Sequence, residues 1–149
     1  MINDNLKLRG DVALVLKDKD GNIKETREIN NLVVTAGLTF ICSRMAAASA
    51  GVMSHMALGS STTSAAAGQT DLVSILGSRE ALDSTSASAN TIVYVSSFEA
   101  GEGTGAVTEA GIFNAASSGT MLCRTVFAVV NKQADDTMSV TWTITLSAS

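Results

Sequence analysis

The side chains able to do chemistry are few in this sequence, and their spacing assembles no reaction. His55 is the only histidine, and Cys42 and Cys123 are the only cysteines. That set is too small for the Cys and His combinations of a structural zinc site. A serine hydrolase would have to recruit His55, which sits in the apolar run His55-Met56-Ala57-Leu58-Gly59, and no Gly-x-Ser-x-Gly elbow occurs. Glu99, Glu102 and Glu109 are the carboxylates a glycosidase pair would draw on, but they read as loop acids that only a cleft would make functional. Gly101-Glu102-Gly103-Thr104-Gly105 has the glycine density of a phosphate loop. No helical pattern follows it, and an acid stands where lysine is needed, so it reads as an inter-strand loop. Asp18, Asp20 and Asn22 are spaced like the start of a calcium loop, yet Gly21 falls early and Ile29 occupies the twelfth position, where a bidentate Glu is required. Nothing near Cys42 in sequence lowers its pKa. The expectation is therefore a protein with no catalytic residue, cofactor or metal, and not an enzyme.

Composition narrows the field further. The 149 residues suit one domain, and 10 Lys and Arg against 14 Asp and Glu leave a net charge of −4, which disfavours a nucleic-acid partner. No stretch of about 18 apolar residues occurs, and Met1–Gly10 lacks the apolar run of a signal peptide, so neither a leader nor a membrane span is expected. The charge is unevenly placed. Residues 1–30 hold six basic and six acidic side chains, and the remaining chain holds four and eight. Ala, Ser, Thr and Gly together make 67 of the 149 residues, while aromatics are 4%. A free monomer spreads charge over its surface. A long charge-poor stretch of small residues instead points to a surface that faces other protein, and so modest a core points to oligomer contacts as a source of stability.

The elements that would carry such a surface are mostly strands. Val12, Leu14 and Leu16 alternate, Asp18–Asn22 supplies an Asp-Gly turn, and Ile23–Ile29 returns, giving a charged N-terminal β-hairpin within an arm over 1–30. Thr35 is placed to cap a helix over about 36–50, whose apolar stripe Leu38, Ile41, Cys42 and Met45 would put Cys42 inside and Arg44 outside before a stop near Gly51. His55–Gly59 reads as a short buried strand, Ser60–Gly68 as a loop, and Leu72–Leu76 as a strand leading into a Ser/Ala-rich loop over Ser84–Asn90. The last third alternates plainly. Ile92, Tyr94, Ser96 and Phe98 form one strand, Met121–Val130 another, and Met138, Val140, Trp142, Ile144 and Leu146 a third with Ser139, Thr141, Thr143 and Thr145 on its other face. The fold expected is mainly β, an antiparallel β-sandwich or jelly-roll-like domain with one helix, in a single domain over 1–149 whose sandwich spans 31–149. A carbohydrate-binding sandwich would need exposed aromatic platforms, which are hard to build from one Trp and one Tyr with Trp142 among inward-looking apolar residues.

In order along the chain stand Asn31-Leu32-Val33-Val34-Thr35-Ala36-Gly37, then His55-Met56-Ala57-Leu58-Gly59 before a Ser/Thr stretch, then Arg79, Glu109-Ala110-Gly111-Ile112-Phe113, and Arg124 before a strand. This series over residues 31–149 resembles small virion proteins of tailed bacteriophages, among them tail-collar and tail-fibre-type proteins and some capsid cement proteins. The chain departs from the fibre-associated members in lacking a repetitive shaft or a separate receptor-binding tip. The resemblance implies a structural virion component assembled in the host cytoplasm, with free thiols. On that reading the chain is a capsid cement or decoration protein on the outer head surface, contacting the major capsid protein and itself as a dimer or trimer. Lys7, Arg9, Lys17, Lys19 and Lys24 of the hairpin would be the residues that dock on the shell. The alternative it leaves is a tail, baseplate or fibre-adaptor protein contacting tail proteins. Glu109-Ala110-Gly111-Ile112-Phe113 itself is expected to be a strand, with Ile112 and Phe113 on opposite faces and Gly111 allowing a bulge or a close approach.

Overall fold

Ten strands, one helix and their connections make up the computed structural model, which describes residues 5–46 and 49–148. In chain order the elements are β1 (Leu6–Lys17), β2 (Ile23–Asn30), β3 (Leu32–Val33), α1 (Thr35–Arg44), β4 (His55–Gly59), β5 (Glu80–Ala81), β6 (Ser84–Ser88), β7 (Thr91–Phe98), β8 (Gly105–Phe113), β9 (Met121–Lys132) and β10 (Thr137–Ala148). They form two antiparallel five-stranded sheets, ordered β2-β1-β10-β7-β6 and β3-β9-β8-β4-β5. This is the β-sandwich that the alternation implied. The core lies between the sheets, where Val12, Leu14 and Leu16 of β1 and Met138, Val140, Trp142 and Ile144 of β10, with Tyr94 and Phe98, meet Met56, Leu58, Ala110, Ile112, Cys123 and Val130. Trp142 sits in the middle at 0% exposure.

The hairpin is not an arm set apart from the sandwich. All twelve residues of β1 pair with β10, from Leu6 opposite Ala148 to Lys17 opposite Thr137. The turn is closed as its residue types demand, with the Asp18 carboxylate accepting from the Asp20 and Asn22 backbone N–H groups, both at 2.9 Å. Those bonds favour the charged carboxylate, the one from the Asn22 N–H most, and hold Asp18 below the usual carboxylate range.

The helix departs from its expected form. It ends at Arg44, with Met45 as the C-cap, and the proposed continuation through Ala47 and Ala48 lies outside the described residues. Its N-cap is Val34, so Thr35 is the first helical residue, and the Thr35 N–H donates to Ala67 O at 2.8 Å. Of the stripe chosen from spacing, only Ile41 packs against the core. Cys42 is exposed, Leu38 is half exposed and Met45 is 84% exposed. The buried position is Gly37, where an added Cβ would fall 2.2 Å from Leu122 O on β9. The helix approaches the sheet by lacking a side chain there, which an apolar-periodicity argument does not register.

Two segments between β4 and β7 also differ. Leu72–Leu76 is irregular, and its one strand-type pairing with the sheet among the described residues is an isolated bridge between Ile75 and Gly59. Ser84–Ser88, expected as loop, is strand β6, paired antiparallel with β7. The result is asymmetric. The outer face of the second sheet is covered by α1 and by the 60–79 segment, with Val34, Ala57, Phe113 and Met121 forming a second small core beneath Leu72 and Ala36. No other described element packs on the outer face of the first sheet.

Candidate functional site

The residues that the sequence marked as chemical do not converge on a cleft. His55 is half-buried at the start of β4, and its Nδ1 lies 2.8 Å from Ser54 Oγ. Glu102 closes its own turn by accepting the Glu99 N–H at 2.7 Å. Gly101 and Gly103 lie in the β7–β8 connection and Gly105 opens β8, all three with positive φ, the conformation that explains their density. Cys123 is fully buried, and burial pushes its thiol far up. Tyr94 beside it is pushed up to about 12, chiefly by burial and secondarily by the Cys123 sulfur. Trp142 and Tyr94 are both buried, so neither offers a sugar-stacking platform.

Glu109 is no loop acid. It lies in β8 at 0% exposure, accepting four hydrogen bonds and facing the Arg124 Nη2 across an ion pair. Arg124 approaches its Oε2 with Nε at 2.9 Å and Nη2 at 2.8 Å. Backbone N–H groups of Ser61, Val73 and Ser74 donate to it at 3.3, 3.1 and 2.8 Å. The two charges are diagonal neighbours on paired strands, since Arg124 stands opposite Gly111 and Glu109 opposite Val126. Arg124 Nη1 continues to Gln69 Oε1 at 3.0 Å. The pair thus ties the 60–79 segment to the sheet. Gly59 permits this approach, because a Cβ there would sit 2.4 Å from Glu109 Oε1. At the far end of the same segment, Arg79 lies over the Phe113 ring at 3.6 Å and donates to Ala115 O and Ser118 O at 2.9 and 2.7 Å.

This clamp gathers most of the segments on which the resemblance was based. The His55–Gly59, Arg79, Glu109–Phe113 and Arg124 stretches meet on one face of the second sheet, and the Asn31–Gly37 stretch enters beside them through Val34. Ile112 and Phe113 do face opposite sides, one in each core, with a register shift between them. Leu72 occupies the space that a side chain at Gly111 would need. The chemistry of the clamp is structural. Its charges face each other, three backbone N–H groups and the Gln69 side chain.

The five cations nominated for docking are exposed, but sequence proximity did not translate into one patch. Lys7 and Arg9 lie near the start of β1, while Lys17, Lys19 and Lys24 lie at its other end, about 33 Å away at 3.3 Å per residue. Arg9 pairs with Asp11 at 2.9 Å and Lys24 with Asp136 at 2.7 Å. Among the described residues Lys7, Lys17 and Lys19 form no ion pair. Between the two groups runs the open face of the first sheet. The face carries Thr141, Thr143 and Ser139 of β10, Ala13 and Val15 of β1, and Val93, Val95 and Ser97 of β7, with the charged Asp11 of β1 and Glu28 of β2 along its β2 side. A shallow depression of about 460 Å³ lies at its Arg9 and Asp11 end. No family model, curated protein or solved structure matches the chain.

Proposed function

We propose that this chain is a structural protein of a tailed-bacteriophage virion, a capsid cement protein that bridges major capsid subunits on the outside of the head. The observation that supports the reading is the open face of the first sheet. A bridging protein needs a broad, rigid surface that sheds water at little cost. Hydroxyl, methyl and isopropyl groups on a hydrogen-bonded sheet meet that need better than charged side chains, whose desolvation is expensive. Five strands spaced about 4.8 Å apart and about eight residues long offer roughly 600 Å², close to the ~800 Å² that each partner contributes to a standard interface. Lys7 and Arg9 at one end and Lys17 at the other would set register and association rate from the rim.

Cosedimentation of the purified chain with expanded empty heads and with isolated tails tests this. Saturable binding to heads is expected, with Thr141→Glu abolishing it by placing a charge in the centre of the face. Lys7→Glu with Lys17→Glu should weaken binding and reduce its salt dependence. Deleting residues 1–10 is a poor test, because Leu6–Gly10 belongs to β1 and pairs with β10. Binding to tails alone would assign the tail, baseplate or fibre-adaptor role instead, and binding to neither would refute both.

A further inference from the structure

We infer that β6 is a self-pairing edge, through which two copies of this chain join their first sheets antiparallel across a two-fold axis at Ser86. The two sheets have four edge strands, and three of them are blunted. β2 carries Lys24, Glu25, Arg27 and Glu28, while β3 and β5 are two residues each. Charge and brevity are the usual protections against pairing with another chain. β6 has neither. Its five residues are all exposed, and none is charged or proline. Every second residue of an antiparallel edge turns its N–H and C=O outward, and on β6 that row meets no other described strand.

The occupant follows from the side chains. Ser84-Thr85-Ser86-Ala87-Ser88 reads almost the same in both directions. Under a two-fold axis Ser84 faces Ser88, Thr85 faces Ala87, and Ser86 faces its own copy, which is the self-complementarity an isologous interface demands. The flanking acid does not oppose itself. Asp83 would face Ala89, and its carboxylate already accepts the Ser97 hydroxyl at 2.7 Å. A foreign peptide added to the edge would be recognised through pockets for its alternate side chains. Here β6 presents only small hydroxyl and methyl groups, suited to another strand of the same kind. The pairing leaves the broad face of the sheet free, so it stands or falls separately from binding to heads.

The test uses the full chain with Cys42→Ser, which leaves only the buried Cys123. Under mild oxidation Ser86→Cys should cross-link to itself, because directly opposed residues have Cα atoms about 4.5–5.5 Å apart, within disulfide range. Ser84→Cys alone should not, since its copy lies four residues away, about 13 Å, but a mixture of Ser84→Cys and Ser88→Cys chains should. In sedimentation velocity the unmodified chain should be a dimer, and Ser86→Lys and Ser86→Glu should each weaken it roughly tenfold or more by opposing like charges. Mixing those two variants should restore it. A chain that stays monomeric at high micromolar concentration would overturn the inference. So would a dimer unaffected by either charge, or cross-linking equally efficient at positions 84 and 86.

Discussion

Glu109→Gln should be among the most damaging conservative substitutions in this protein. The amide keeps one carbonyl oxygen for the Ser61 and Ser74 N–H groups, but turns an NH₂ toward Val73 N–H and the Arg124 guanidinium, which are both donors. Arg124, fully buried, then has no counter-charge. Breaking a buried pair by removing one partner costs about 3–5 kcal/mol, and each backbone hydrogen bond lost from the 60–79 segment adds about 1 kcal/mol. Typical domain stabilities are about 5–15 kcal/mol, so the variant should lose between about a third and nearly all of its margin. Urea unfolding measures the loss. Arg124→Met should be costly for the converse reason, and the double variant should be less damaged than the sum by about 2 kcal/mol or more, because neither charge is then stranded. Hydrogen exchange adds a local readout, since the Val73 and Ser74 amides should lose protection in Glu109→Gln ahead of the core strands. A Glu109→Gln variant within about 1 kcal/mol of the parent, or strict additivity in the cycle, would refute the clamp.

Other consequences are open to simple measurements. Tyr94 is the only tyrosine, so phenolate absorbance reports it alone; its midpoint should lie near 12 in the folded protein, and a midpoint near 10 would put the ring in water. Cys42 should react with a thiol reagent at once and Cys123 only on unfolding; two fast thiols would contradict the burial of Cys123. The Lys24 ammonium, helped by the Gln133 N–H, holds the Asp136 carboxyl below its ordinary value of 3.8. Because the folded-state value is the lower one, the stabilisation is fully present above about pH 4 and is lost as pH falls through the folded value. The stability gap between the parent and Asp136→Asn should therefore shrink from pH 5 toward pH 2 in urea titrations, and a constant gap would exclude this linkage.

How far the fold could be read from sequence depended on whether the two faces of an element differ. In β10 they do, Met138, Val140, Trp142 and Ile144 against Ser and Thr, and alternation identifies strand, face and neighbours at once. In β8 they do not. From Val107 to Phe113 every residue is buried, one face in each core, so an acid at position 109 carries no periodic signal. Its partner is fifteen residues away on the next strand, and only register brings Arg124 onto the diagonal. The helix misled because its contact with the sheet is made at Gly37, where the signal is a missing side chain. β6 was invisible for the opposite reason: five small, exposed residues have no apolar pattern and become a strand by pairing with β7. The cations of the hairpin show a further limit, since residues close in sequence along an extended strand end up far apart in space.

The most direct test of the cement reading is to image expanded heads saturated with the purified chain and locate it in the density. Occupancy is expected at fixed positions over seams between capsid subunits, with Thr141, Thr143 and Val15 of the first sheet against the shell and α1 turned away. Density confined to tails, or heads decorated through the helix side with the first sheet facing solvent, would contradict it.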